Sequence, residues 1–220
     1  MLQKIALFLI AALLLTGCTH TPVTETTTEP VTSPSGLQQS TTQDISYDAL
    51  PVKDLFSDRD FETGYDNYTQ ISLQNDTAAA SSASVKLQGS PVTITQEGTY
   101  LLSGTLDNGM ILVDTDKSNK VQLVLDGVSI TSAASAPIYV RPADKVFITL
   151  AEGSENTLTN GGSFEAIDES NIDSVIFSKE DLTLNGSGKL TVTSPAGHGI
   201  VSKDDLRITG GSYTVSAAGH

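Results

Sequence analysis

Near its C-terminal end the chain repeats itself. Ile176-Phe-Ser-Lys-Glu-Asp-Leu-Thr-Leu-Asn-Gly186 is echoed by Ile200-Val-Ser-Lys-Asp-Asp-Leu-Arg-Ile-Thr-Gly210. A period of about 24 residues, carried by short β-branched runs that end in glycine or acidic turns, marks a solenoid whose repeat is one coil. The same spacing, to within one position, recurs upstream between Val121–Leu125 and Val146–Leu150. From Val146 to the equivalent Leu182 the interval is longer, and the excess over one coil is about a dozen residues. The insertion falls most simply at Gly161 to Asp173. Apolar alternation from Ile71 to Val215 comes in short runs with no helical period, the pattern of strands. A propeller blade is longer, at about 40 residues. The spacing therefore predicts an all-β fold, a right-handed single-stranded parallel β-helix with coils of about 22–25 residues.

Ahead of this series the chain changes character. Lys4 and the apolar run Ile5 to Leu15 have the pattern of a secretory signal, and the run is too short to span a membrane as a helix, which takes about 20 residues. Leu15-Thr16-Gly17-Cys18 resembles the lipobox of a bacterial lipoprotein. Residues 1–17 are thus expected to be a lipoprotein signal peptide, with Cys18 the lipidated residue. Residues 18–46 form a Ser/Thr/Pro-rich tether, in which nearly half of the positions from Thr19 to Ser46 are Ser or Thr. Such a segment buries no core and stays disordered, with an end-to-end distance of roughly 30 Å. Residues 47–70 are expected to be a lead-in or capping segment, and residues 71–220 the β-helix. The last coil opens at His198-Gly199-Ile200, and the chain stops at Gly219-His220, where another such opening begins. The β-helix is accordingly expected to be incomplete at its C-terminus, or covered there by another chain.

Charge narrows the partners. The formal net charge is −14, which disfavours nucleic acid and anionic lipid and favours cations or neutral surfaces. Membrane attachment is expected through the N-terminal lipid alone, at an extracytoplasmic, lipid-anchored position on the bacterial surface. Cys18 is the only cysteine, so neither an intramolecular disulfide nor a cysteine-based metal site can form.

Stacking turns the repeat into chemistry. Residues one coil apart in a parallel ladder lie about 4.8 Å from each other, which sets Asp181 over Asp205, Glu180 over Asp204 and Lys179 over Lys203. Like carboxylates that close repel by about 1 kcal/mol or more unless a cation intervenes. Calcium, which takes about six to eight oxygen ligands, suits such a place; the alternative is an acidic edge threaded by Lys179 and Lys203 without metal. A second oxygen cluster, Asp168, Asn171 and Asp173, lies in the insertion, where binding residues on rigid scaffolds concentrate. The candidate metal ligands are thus Glu180, Asp181, Asp204, Asp205, Asp168, Asn171 and Asp173, for Ca2+. Catalytic signatures are thin, since His20, His198 and His220 have no serine or cysteine nucleophile motif beside them. The enzymatic option compatible with this fold is β-elimination on uronic acids, with Lys179, Lys203 or Arg207 as base. The two lysines serve equally well as neutralisers, so no catalytic residue is assigned and the chain is read as a non-enzyme.

Five segments carry a family resemblance. Gly98-Thr-Tyr-Leu-Leu-Ser-Gly104, Val124-Leu-Asp-Gly-Val128, Ala136-Pro-Ile-Tyr139, Ile148-Thr-Leu-Ala-Glu-Gly153 with Glu155-Asn-Thr-Leu158, and Phe177-Ser-Lys-Glu-Asp-Leu182 resemble, in order, the clostridial-type carbohydrate-binding β-helix family, formerly a domain of unknown function. The likeness covers about residues 54 to 220. It implies a secreted or surface protein, a parallel β-helix related in fold to pectate lyases, bound calcium, and binding of cellulose and pectic acid. Family members often carry Asp-Gly-Ile where this chain has His198-Gly199-Ile200, which removes a possible cation ligand there. A calcium-dependent pectate lyase and a purely structural or adhesive stalk are the alternatives.

Overall fold

The computed structural model describes residues 55–87 and 91–219. The expectations for the signal peptide, Cys18 and the tether lie outside the described residues. Those described are all-β apart from one 3-10 turn, Asp58–Asp60.

The coils build three stacks of strands. The long strands Gly98–Leu106 and Lys120–Ser132 each serve two stacks. Their first halves continue in parallel through Lys145–Leu150, Asp181–Gly186 and Leu206–Ile208. The second half of Lys120–Ser132 continues through Glu155–Asn160, Lys189–Ser194 and Ser212–Ala217. A register shift between Leu102 and Gly104 separates the halves, as a bulge does when it bends a strand. A second sheet stacks Val92–Ile94, Ile111–Val113, Ile138–Val140, Ser174–Ser178 and His198–Ser202, again in parallel. The repeat has the expected register: Ile176 pairs with Ile200 and Leu182 with Leu206. The insertion lies between Asn160 and Ser174 and adds no strand to either sheet.

Antiparallel pairs close the N-terminal end. Thr69–Asn75 lies parallel to Gly98–Leu106 and turns back on Thr77–Ala80, while Val85–Leu87 pairs antiparallel with Val92–Ile94. These elements occupy edges that would otherwise offer unpaired backbone groups.

Strand alternation builds the core. Inward-facing Tyr100, Leu123, Ile148 and Leu184 stand over one another in register and are all buried, each such side chain contributing about 1.5–3 kcal/mol of apolar burial. The next residue in that stack, Ile208, is 53 % exposed, and Val215, which follows Val192 in the neighbouring stack, is 49 % exposed. A smaller apolar cluster forms under the insertion, where Ile172 packs with Met110, Leu112, Tyr139 and Phe177. Tyr139 and Phe177 form an edge-on pair there, with ring centres 5.7 Å apart.

Candidate functional site: an outer ladder, its strap and an acidic triplet

Alternation of buried and exposed positions fails along Lys145–Leu150. All six residues of Lys145–Leu150 are buried, so something covers the face of the strand that points away from the core. The cover is the lead-in segment, which crosses the ladder formed by Gln122, Phe147, Thr183 and Arg207 on successive coils. Its anchor is Asp60, 1 % exposed. The Asp60 carboxylate accepts from Lys145 Nζ at 2.6 Å, Thr183 Oγ1 at 2.5 Å, and the amide and hydroxyl of Ser57 at 2.8 and 2.9 Å. Backbone oxygens of the strap bind the next coils: Asn185 Nδ2 donates to the carbonyls of Asp60 and Glu62, Thr209 Oγ1 to that of Asp60, and Arg207 Nε to that of Leu55. Burial works to raise the Asp60 pKa, but the Lys145 ammonium and the three other donors outweigh it and hold the carboxyl well below the usual range. Under the strap Gln122 donates to Thr149, which donates to Asn185. The strap therefore satisfies a polar outer face that parallel coils would otherwise expose.

Past Asp60 the strap forms the wall of a groove beside Thr99. Arg59 Cζ sits over Phe147, 4.6 Å from the ring centre, and the guanidinium donates to Gln122 Oε1 at 3.1 Å. Three adjoining hollows of about 410, 580 and 590 Å³ share Thr99, and two of them also share Arg59 and Gln122. Thr99 forms the floor, with the buried Gln122 fixed beneath it; Tyr65, Asn67 and Tyr68 of the strap form the far side. A separate hollow between Met110, Ser135 and Ile167 holds about 230 Å³, below the usual size of ligand pockets, about 300–1,000 Å³.

The acidic repeat forms a second site. Asp181, Asp204 and Asp205 each bring a carboxylate oxygen within 4.8 Å of the others. Glu180 is not part of that group. The counter-charge is also different from the lysines expected: Arg207 reaches Asp181 Oδ2 at 3.4 Å and Asp205 Oδ2 at 2.8 Å, whereas Lys203 Nζ lies 5.2 Å from the centre of the Phe177 ring. The reason is alternation, since Arg207 leans along the outer face of its strand toward the turn that carries the acids.

The oxygen cluster of the insertion is spent differently. Asp168 accepts from Tyr139 Oη at 2.8 Å and from the Ser170 amide at 2.7 Å, with Arg141 Nε at 3.6 Å. Burial works to raise its pKa, yet these donors and the Arg141 charge leave it below the ordinary carboxylate value. The Tyr139 hydroxyl is pushed up to about 12, chiefly by burial. Asn171 is exposed, and Asp173 is half-buried with its Oδ1 enclosed and without a hydrogen-bond partner. Among the described residues Asp168, Asn171 and Asp173 do not join a three-acid group. Asp60 and Arg59 were missed from sequence; the capping-box spacing of Ser57 and Asp60 is the local signal that marks the turn.

Comparison with known proteins gives the site its context. A family profile described as "Carbohydrate-binding domain-containing protein" matches residues 88–220. A protein of the same description from Acetivibrio thermocellus is 46% identical over 128 residues, which are 57% of this chain and 45% of the relative. A solved structure, described as the polysaccharide lyase-like protein from C. thermocellum in a gadolinium derivative, aligns with a TM-score of 0.66 and 42% identity over 69% of this chain and 62% of that one. The chain thus spans less than two thirds of the length of either relative. On the strength of the match across residues 88–220, the chain belongs to the carbohydrate-binding domain-containing family.

Proposed function

We propose that this protein is a surface-anchored binder of plant-type polysaccharides, cellulose and pectic acid, assisted by calcium. Family membership over residues 88–220 carries the reading. The stacked parallel coils fit a right-handed parallel β-helix, a rigid frame on which outward side chains repeat at about 4.8 Å. Cys18 is the proposed lipid anchor, with residues 19–46 as the tether that lifts the coils from the membrane.

For calcium the supporting feature is the Asp181, Asp204 and Asp205 triplet. Oxygens that close can share one ion, whose bonds are about 2.3–2.6 Å long. Three carboxylates supply part of the shell; carbonyls, water and a uronate carboxylate of the polysaccharide are suited to the rest. Arg207 fits this arrangement as the competing cation, which an arriving ion displaces from two of the three acids.

Lyase activity is the second reading, supported by the lyase-like relative. Of its candidate bases Lys179, Lys203 and Arg207, Arg207 is engaged by Asp181 and Asp205 and Lys203 lies over the Phe177 ring, so binding without cleavage is preferred. Pull-down on insoluble cellulose and on calcium pectate, with and without a chelator, tests the proposal. Retention on both, with the chelator weakening pectate, is the expected pattern; no retention on either contradicts it. Incubation with polygalacturonate separates the lyase, because elimination leaves an unsaturated, ultraviolet-absorbing product.

A further inference from the structure

The groove beside the strap has a charge balance that singles out its ligand. Its cations are Arg59 and Lys120, and both are already paired: Arg59 with Glu62 at 3.3 Å, and Lys120 with Asp144. Glu62, Asp66 and Glu97 add carboxylates along the same walls. A polyuronate entering here meets acids without an open cation, on a chain of net charge −14, and is repelled. A neutral sugar chain meets the opposite situation, because carboxylates and amides accept from and donate to its hydroxyls.

The aromatic content points the same way. Tyr65 and Tyr68 stand edge to face with ring centres 6.3 Å apart, and Tyr68 is 47 % exposed. An exposed tyrosine beside a half-buried one in a polar groove supplies apolar faces for sugar rings and a hydroxyl at the rim. The floor is set by secondary structure rather than by a loop: Thr99 and Gln122 are one coil apart in register, and Gln122 is fixed by Arg59, Thr99 and Thr149. A floor held this way loses little entropy when a ligand arrives.

We propose that the groove between Tyr65, Tyr68 and Thr99 binds a short stretch of a linear neutral glycan and turns acidic polysaccharides away. This rests on the carbohydrate-binding reading above and assigns its neutral ligand class to this groove. Titration of the full chain with cellohexaose, alongside retention on calcium pectate, tests it. The double variant Tyr65→Ala, Tyr68→Ala is expected to weaken cellohexaose binding about tenfold or more, with pectate retention and melting temperature unchanged. Thr99→Trp, which fills the floor from a partly exposed position, is expected to do the same. Unchanged cellohexaose affinity in both variants overturns the assignment, as does a wild-type chain that is retained on pectate but ignores cellohexaose. A wild-type chain that binds neither glycan overturns the carbohydrate-binding reading itself.

Discussion

Asp60 shows how much one residue can carry. Its carboxylate, paired with Lys145 inside a dry polar layer, is of the kind whose removal leaves an uncompensated buried charge, at about 3–5 kcal/mol. Asp60→Ala should lower the urea midpoint by a corresponding amount. Its pKa is held below that of the unfolded chain, about 3.9, so its contribution is complete above that value and is lost as pH falls through the folded one. Wild-type melting temperature should therefore drop on acidification below about pH 4, and Asp60→Asn, already less stable, should show a shallower drop. Among the stacked acids, Asp181→Asn with Asp205→Asn should abolish any rise in melting temperature on adding calcium; an undiminished rise places the ion elsewhere. The acids were legible because the repeat aligns them. Asp60 was not, since its partners Thr183 and Thr209 lie on coils at the far end of the sequence, and no local pattern reports contacts at that range.

At the level of elements, the coil and the strap differ in what specifies them. The coil is written in the spacing of its strands, because each rung buries its neighbours' apolar side chains. The unequal intervals of the sequence reappear as direct pairings of Val121 with Val146, Val146 with Leu182, and Leu182 with Leu206. Its turns can be tested at glycine. Gly186 has φ +98°, and a Cβ there would sit 2.2 Å from the Leu150 carbonyl oxygen; Gly127, at φ +72°, has open space around it. Gly127→Ala should cost about 1–2 kcal/mol, the left-handed penalty alone, and Gly186→Ala distinctly more, as read by chemical denaturation. Equal costs would mean that the close approach of successive coils is unimportant. The strap has no such periodicity. It is specified by the polar outward residues Gln122, Thr149, Thr183 and Asn185, which look in sequence like an ordinary solvated face and are instead buried.

For the whole molecule, the acidic charge, the stacked coils and the family match support one proposal, that the outer faces of the coils hold polysaccharide. The all-β class was readable from sequence because repetition amplifies a weak strand signal. The groove was not, because its wall comes from residues 59–68 and its floor from two other coils. Native electrophoresis of the full chain through gels containing a soluble cellulose derivative or polygalacturonate tests this account most directly. It predicts retardation by both polymers, with a chelator relieving only the polygalacturonate effect. Unaltered mobility in both gels, with calcium present, would contradict it.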